Sequence, residues 1–394
     1  MTESGVLDEE IDLFTDQALA DPFPLYRRIR DAGHAVRLDA YGVWALGRYD
    51  DVRGALEDWQ AFSSAQGVAL NSVSRATTRG LIVATDPPYH DVLRGVLTDK
   101  LGPRALRGLT ADIHARAKTL VNGVLDRGSF DAVDDLARAF PVQVVLGLVG
   151  LPVAMADRAL AWAEAAFNAG GPDVPRTRES LPLLEDQFAY LARMHKDDLA
   201  EGSFGRVIFD AADRGVIEPD SVVPLLSAYV TAGLDTTINA ISAAVCYFAD
   251  NPEQWNALRQ ERTLISSAFN EIVRLESPLQ WFSRVTTRDV DFPDVTIPAG
   301  ERVLMLYGSA NRDERKWGPD ADRFDIRRVS MDHLGFGVGV HGCAGQGLAR
   351  LEGAAVISAL ADRVAAFEVG CVERRLNNRI RGYASVPTTV TLDA

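Results

Sequence analysis

Apolar residues recur with helical spacing over Pro24–Ala32 and again over Asp50–Glu57. Between them, Ala35–Leu38 and Val43–Leu46 read as the two strands of a hairpin turning around Ala40–Gly42. Ser63–Gly80 is small and polar and predicts a loop, and a loop of that length is usually functional. From Pro103 to about Gly202 the pattern is helical, with breaks at Gly128–Ser129, Gly150–Pro152 and Gly170–Pro175. Pro219–Phe248 is apolar on nearly every side, which predicts a buried central helix of about 30 residues and about 45 Å. A shorter helix follows over Arg262–Glu276, then strands over Asp289–Leu306 around a Pro298–Gly300 turn, then a helix over Ala344–Phe367 and terminal hairpins. The expected class is mainly α with small β-sheets, one domain over 1–394, β-rich near 35–48, 285–310 and 370–394.

Composition narrows the function more than the fold. Forty-one Lys and Arg against 55 Asp and Glu give a net charge of -14, which argues against nucleic acid or an anionic membrane as partner. Met1–Phe14 is acidic with no apolar run, so it reads as neither a signal peptide nor an anchor, and no long uninterrupted apolar stretch occurs. Cys246, Cys343 and Cys371 are too widely spaced for a zinc site or a disulfide framework, which suits a reducing cytoplasm.

The sharpest chemical signal is Phe336-Gly-Val-Gly-Val-His341-Gly-Cys343-Ala-Gly345, with five glycines between Gly335 and Gly345. Glycine lets a backbone approach a flat partner closely, and a cysteine at a helix start is placed to be a thiolate. Cys246 and Cys371 read as ordinary inert thiols. The spacing Phe-x-x-Gly-x-His-x-Cys-x-Gly resembles the haem-binding loop of cytochrome P-450 monooxygenases. The resemblance extends over essentially the whole chain. It implies that family's fold: a triangular prism with a long central helix over haem b and the cysteine loop on the proximal side. By the same resemblance Cys343 is the axial thiolate, and Phe336 flanks it. His90 and Arg94 bind one haem propionate, and Arg284 and His341 bind the other. Glu271 and Arg274 form a buried ion triad with Arg323. Read alone, Glu271 and Arg274 are also compatible with a plain surface pair one turn apart.

Ala232-Gly-Leu-Asp235-Thr236-Thr237 interrupts the apolar helix with a glycine and an acid, both costly there. Thr bonding back to the preceding turn, with Asp facing solvent, is the plain alternative. The motif is similar to the family's acid–alcohol pair, which implies that Asp235 and Thr236 deliver protons to dioxygen. The thiolate then favours O–O cleavage. A non-catalytic haem-thiolate sensor would not need that pair, and a peroxide-driven enzyme would usually replace it.

Further stretches resemble one bacterial subfamily that removes methyl groups from methoxylated aromatic acids. They are Ala166–Ala169, Ala232–Thr237 with Asn239, Glu276–Gln280, Gly308–Asp313 and Arg350–Gly353. This implies a pocket lined by Val68, Leu70, Leu81, Phe167, Ala228, Ala232, Leu279, Trp281 and Phe282, a narrow apolar slot for one ring. In the acid-binding relatives Ser and Arg groups meet the carboxylate. Here the matching long-helix positions are Ser227 and Ala228, Arg75 and Arg79 lie on a loop of different length, and Gly170 replaces a second aromatic. Without a cation an aryl acid is costly to bury. The sequence reading therefore leans to a neutral guaiacol with a small para-alkyl group, with para-methoxybenzoate-type acids as the alternative. The resemblance implies electrons drawn ultimately from NAD(P)H. The donor is a ferredoxin with its reductase, or a fused iron–sulfur flavoprotein, docking on Lys100, Arg104, Arg107 and Arg350.

Overall fold

Glycine and polar breaks divide the chain into helices of moderate length. In the computed structural model, which describes residues 11–393, the main ones run Phe23–Ala32, Tyr49–Glu57, Pro103–Leu125, Ala139–Val149, Ala156–Asn168 and Pro175–Ala192. Gly150, at φ 94°, closes Ala139–Val149 in the left-handed conformation that glycine adopts without a Cβ clash. The expectation for Met1–Phe14 falls mostly on residues 1–10, outside the described residues.

The central apolar segment is not one unbroken helix. It runs Val222–Ala232 and Asp235–Asp250, with a single 3-10 turn at Pro219–Ser221 and a break at Gly233–Leu234. A Cβ on Gly233 would lie 2.9 Å from Val145 Cγ2, so glycine admits the crossing helix Ala139–Val149 at the break. By length and composition Pro219–Asp250 could cross a membrane, but here it is a core helix. It packs on Ile265–Glu276 and Gln346–Ala361, and Asp235, Asn239 and Ser242 are buried within it.

A five-stranded sheet runs in the order Val36–Leu38, Val43–Leu46, Arg302–Leu306, Trp281–Thr286, Phe62–Ser63. The expected hairpin pairs Leu38 with Val43, and Val43–Leu46 then pairs parallel with Arg302–Leu306. The strand Trp281–Thr286 begins before the β-rich span expected from 285, because Ser283 and Arg284 interrupt its apolar residues. Both are buried, as residues of an interior strand.

Two other expectations are corrected. The helix after Cys343 ends at Ala361, and Val364–Val369 is a strand pairing with Pro387–Leu392. The 63–80 loop contains a helix, Ser72–Thr77, whose N-cap Asn71 accepts from the Ser74 N–H. Asn71 Nδ2 also donates to the carbonyls of Ala169 and Gly171, tying the loop to the turn after Ala156–Asn168.

Candidate active site

The cysteine loop is held by its own backbone. Cys343 N–H donates to Phe336 O at 2.8 Å, and Gly337 and Gly339 turn through φ 63° and 72°. The glycines do different work. A Cβ on Gly339 would lie 2.6 Å from Leu56 O and one on Gly335 2.8 Å from Val273 Cγ1, whereas Gly345 faces open space. Cys343 precedes the helix Gln346–Ala361. Burial pushes its thiol up, while N–H groups of Gly345 and Gln346 and the charges of Arg94 and Arg350 pull it down.

Cys343 opens onto a cavity of about 310 Å3 that lies between this loop and the central helix. His90, Arg94, Arg284, Phe336 and His341 all line it. The His90 and His341 rings meet edge-on at 4.6 Å. His90 Nε2 is buried without a partner among the described residues, and Arg94 Nη2 donates to Gly342 O at 2.7 Å. Asp86, four residues before His90, lies behind His341 with its Oδ1 4.0 Å from Nε2. Burial pushes Asp86 up, but hydrogen bonds from Ser63 Oγ and the Ser64 N–H, with the His341 imidazole nearby, outweigh it and hold the carboxyl below its usual range.

The triad exists with a different third member. Arg274 Nε and Nη2 each donate to Glu271 at 2.7 Å, with both residues 0% exposed. Arg323 is exposed, and Arg328 Nε reaches Glu271 Oε1 at 3.1 Å instead. The chain turns at Asp320–Arg323 and again at Asp325–Arg328, and only the second turn aims its arginine inward.

On the opposite wall, Thr236 lines the cavity and its Oγ1 donates to Ala232 O at 3.0 Å. This back-bond is the plain alternative, realised for Thr236. Asp235 does not face solvent: it is buried, and its Oδ1 accepts from Arg375 Nη2 at 2.8 Å while Oδ2 has no partner among the described residues.

Val68, Leu81, Phe167, Ala228, Ala232, Leu279 and Phe282 line the cavity as expected, and Leu70 and Trp281 do not. Side chains alternate along Trp281–Thr286, so Phe282 and Arg284 share one face and Trp281 takes the other, against Phe14. Leu70 turns its side chain towards the cluster around Trp281 and gives its N–H to Gly170 O. Arg75 and Arg79 stay out of the cavity, and Ser227 Oγ is bonded to buried Gln187.

The cavity nevertheless contains a cation that sequence reasoning missed. Arg379 is 5% exposed and lines it. A second missed group is Glu352, buried on the cysteine side with Oε1 unpartnered, its carboxyl raised well above the usual range by burial.

A family model described as Cytochrome P450 matches residues 216–374. The chain is 41% identical over 394 residues to cytochrome P450 CYP199A2 of Rhodopseudomonas palustris, covering 98% of this chain and 95% of that one. The chain belongs to the cytochrome P450 family. This P450 is also 33% identical to vitamin D(3) 25-hydroxylase of Pseudonocardia autotrophica, over 99% of this chain and 98% of that one. Cytochrome P450 CREJ, solved in complex with (4-ethylphenyl) dihydrogen phosphate, superposes with a TM-score of 0.84 at 28% identity, covering 95% of this chain and 98% of that chain.

The P450 is therefore a monooxygenase using dioxygen, externally supplied electrons and haem b with a cysteine thiolate ligand. The cavity suits that group. It offers the half-buried Cys343 thiol on one wall, the His90 Nε2 without a partner among the described residues, and four basic side chains suited to two propionates.

Proposed function

We propose that this P450 removes the O-methyl group of a small methoxylated aromatic by hydroxylating its methyl carbon. The resulting hemiacetal collapses to a phenol or catechol and formaldehyde. The carrying observation is the apolar wall of Phe167, Leu279, Phe282, Leu81 and Ala232, in the same cavity as Cys343 and Thr236. The bound aromatic monoester in the CREJ structure supports a substrate of this size.

The haem, when bound, supplies the oxidising chemistry. The chain supplies position and protons. Phe167 and Phe282 flank the ring, and Ala232 leaves room for the methyl carbon. Thr236 Oγ1 passes a proton into the cavity and is resupplied from the Asp235 side, where Arg375 steadies the carboxylate. The break at Gly233–Leu234 lies directly before this pair, and Gly233 itself lines the cavity.

Electrons come from an iron–sulfur protein. Arg104 and Arg107 are exposed on the helix Pro103–Leu125, whose Leu106 approaches Gly347 beside the cysteine loop, which supports docking there. Arg350 is engaged with Asn270 and Gln346, and Lys100 with Gly202 O, so the two helix arginines carry this reading. Three free cysteines support a cytoplasmic setting.

The preference for a neutral alkylguaiacol rested on a pocket without a cation, and Arg379 removes that premise. The test is turnover with a ferredoxin system, 4-propylguaiacol and 4-methoxybenzoate, measuring formaldehyde against demethylated product. Equimolar release from either supports the reading. Oxidation of both without formaldehyde refutes it. Thr236→Ala should keep substrate binding and divert electrons from product, and full coupling would move the proton path elsewhere.

A further inference from the structure

Two adjacent glycines, Gly170 and Gly171, follow the helix Ala156–Asn168, and neither has a positive φ. Their requirement is space. A Cβ on Gly170 would lie 2.2 Å from Arg379 Cζ, and one on Gly171 2.4 Å from Asn378 Nδ2. The turn Asn377–Arg381 fills what the glycines vacate. It is fixed there by Asn378 Nδ2 on Asn168 O and Thr177 Oγ1, by Arg379 N–H on Asn377 Oδ1, and by Gln280 N–H on Arg379 O at 2.8 Å.

This clamp delivers one guanidinium to the cavity wall. Arg379 Cζ lies 4.5 Å from the Trp281 ring centroid and 5.2 Å from that of Phe282, and Nη2 donates to Val68 O. Nε is buried with no partner among the described residues. Among the described residues no carboxylate pairs with Arg379, and Arg302 and Arg284 nearby repel it. Burial and those two charges lower its pKa to about 9, with Tyr307 opposing. A rigid, buried, unpaired cation in an apolar slot is costly unless something negative completes it.

We propose that Arg379, seated over Gly170, is the specificity-determining residue of this pocket and pairs with an anionic head group, a carboxylate or phosphate monoester, on the aromatic substrate. This rests on the O-demethylase reading for the reaction and adds the substrate's charge. Gly170 leaves room for a charged wall.

The test is calorimetric titration of the haem-loaded enzyme with 4-methoxybenzoate, 4-methoxyphenyl phosphate and neutral 4-methoxytoluene. At least one anion should bind about tenfold or more tighter than the neutral ring, and which one does identifies the head group. Arg379→Gln should remove that advantage and change the neutral affinity less than about threefold, while Arg379→Lys restores part of it. Gly170→Val displaces the guanidinium without removing its charge and should produce the same selective loss. Equal affinity for anion and neutral ring in the wild type overturns the proposal. So does a parallel loss of all ligands in Arg379→Gln, or loss of haem, which would assign Arg379 to packing or to a propionate. Tight anion binding without formaldehyde leaves Arg379 standing and removes the demethylase reading. Formaldehyde from the neutral ring without charge discrimination does the reverse.

Discussion

His333 shows how a single buried side chain ties this protein's stability to pH. Its Nδ1 accepts from the Gly335 N–H at 3.1 Å, and Nε2 faces Asn270 Oδ1. Burial, with Arg350 and Arg274 nearby, pushes its pKa down to about 3. The unfolded chain protonates His333 near its ordinary value and the folded chain does not, so its contribution is full above about pH 6.5 and is lost as pH falls towards 3. Unfolding of wild type and His333→Gln between pH 7 and 5 should show the wild type losing up to about 1.4 kcal/mol more per pH unit; parallel curves would assign the acid sensitivity to other groups. Arg328 and Arg323 provide a second comparison. Arg328→Ala leaves Glu271 one partner short in a buried network and should lower stability by about 3 kcal/mol, whereas Arg323→Ala should stay within about 0.5 kcal/mol. Urea midpoints of the two variants decide it. Cys343, His90, Arg94 and Thr236 were legible as cavity residues because each sits in a short local motif. Arg328, Arg375 and Arg379 were not, because each finds its partner across a long stretch of chain.

At the scale of elements, helix positions were legible from period and breakers, and their interruptions were read less well. The Gly233–Leu234 break depends on the Ala139–Val149 helix crossing there, a contact no local pattern encodes. The helix Gln346–Ala361 shows the same dependence. A Cβ on its Gly353 would lie 2.0 Å from Phe269 Cε2, so that glycine sets the approach to Ile265–Glu276 behind the cysteine loop. Gly353→Ala should cost about 1–3 kcal/mol by thermal unfolding despite raising helix propensity. A stabilised variant would mean that the Phe269 ring moves aside freely.

Across the whole molecule, net charge and local charge point in opposite directions. The chain carries -14 overall, yet Arg104 and Arg107 stand exposed beside the helix that follows Cys343. Reversing both charges should weaken an acidic donor's binding and flatten the salt dependence of reduction, measured by stopped-flow from low to physiological ionic strength. An unchanged salt slope would move the docking face elsewhere. The substrate wall is also a whole-molecule feature, stitched from residues 68–71, 168–171 and 377–381. That stitching makes positions 170 and 379 one setting of the wall rather than two. A side chain at 170 takes the place of the Arg379 guanidinium, which must then swing aside. The charge that faces the cavity can therefore be re-aimed from a glycine on a distant stretch of chain, with the arginine itself unchanged.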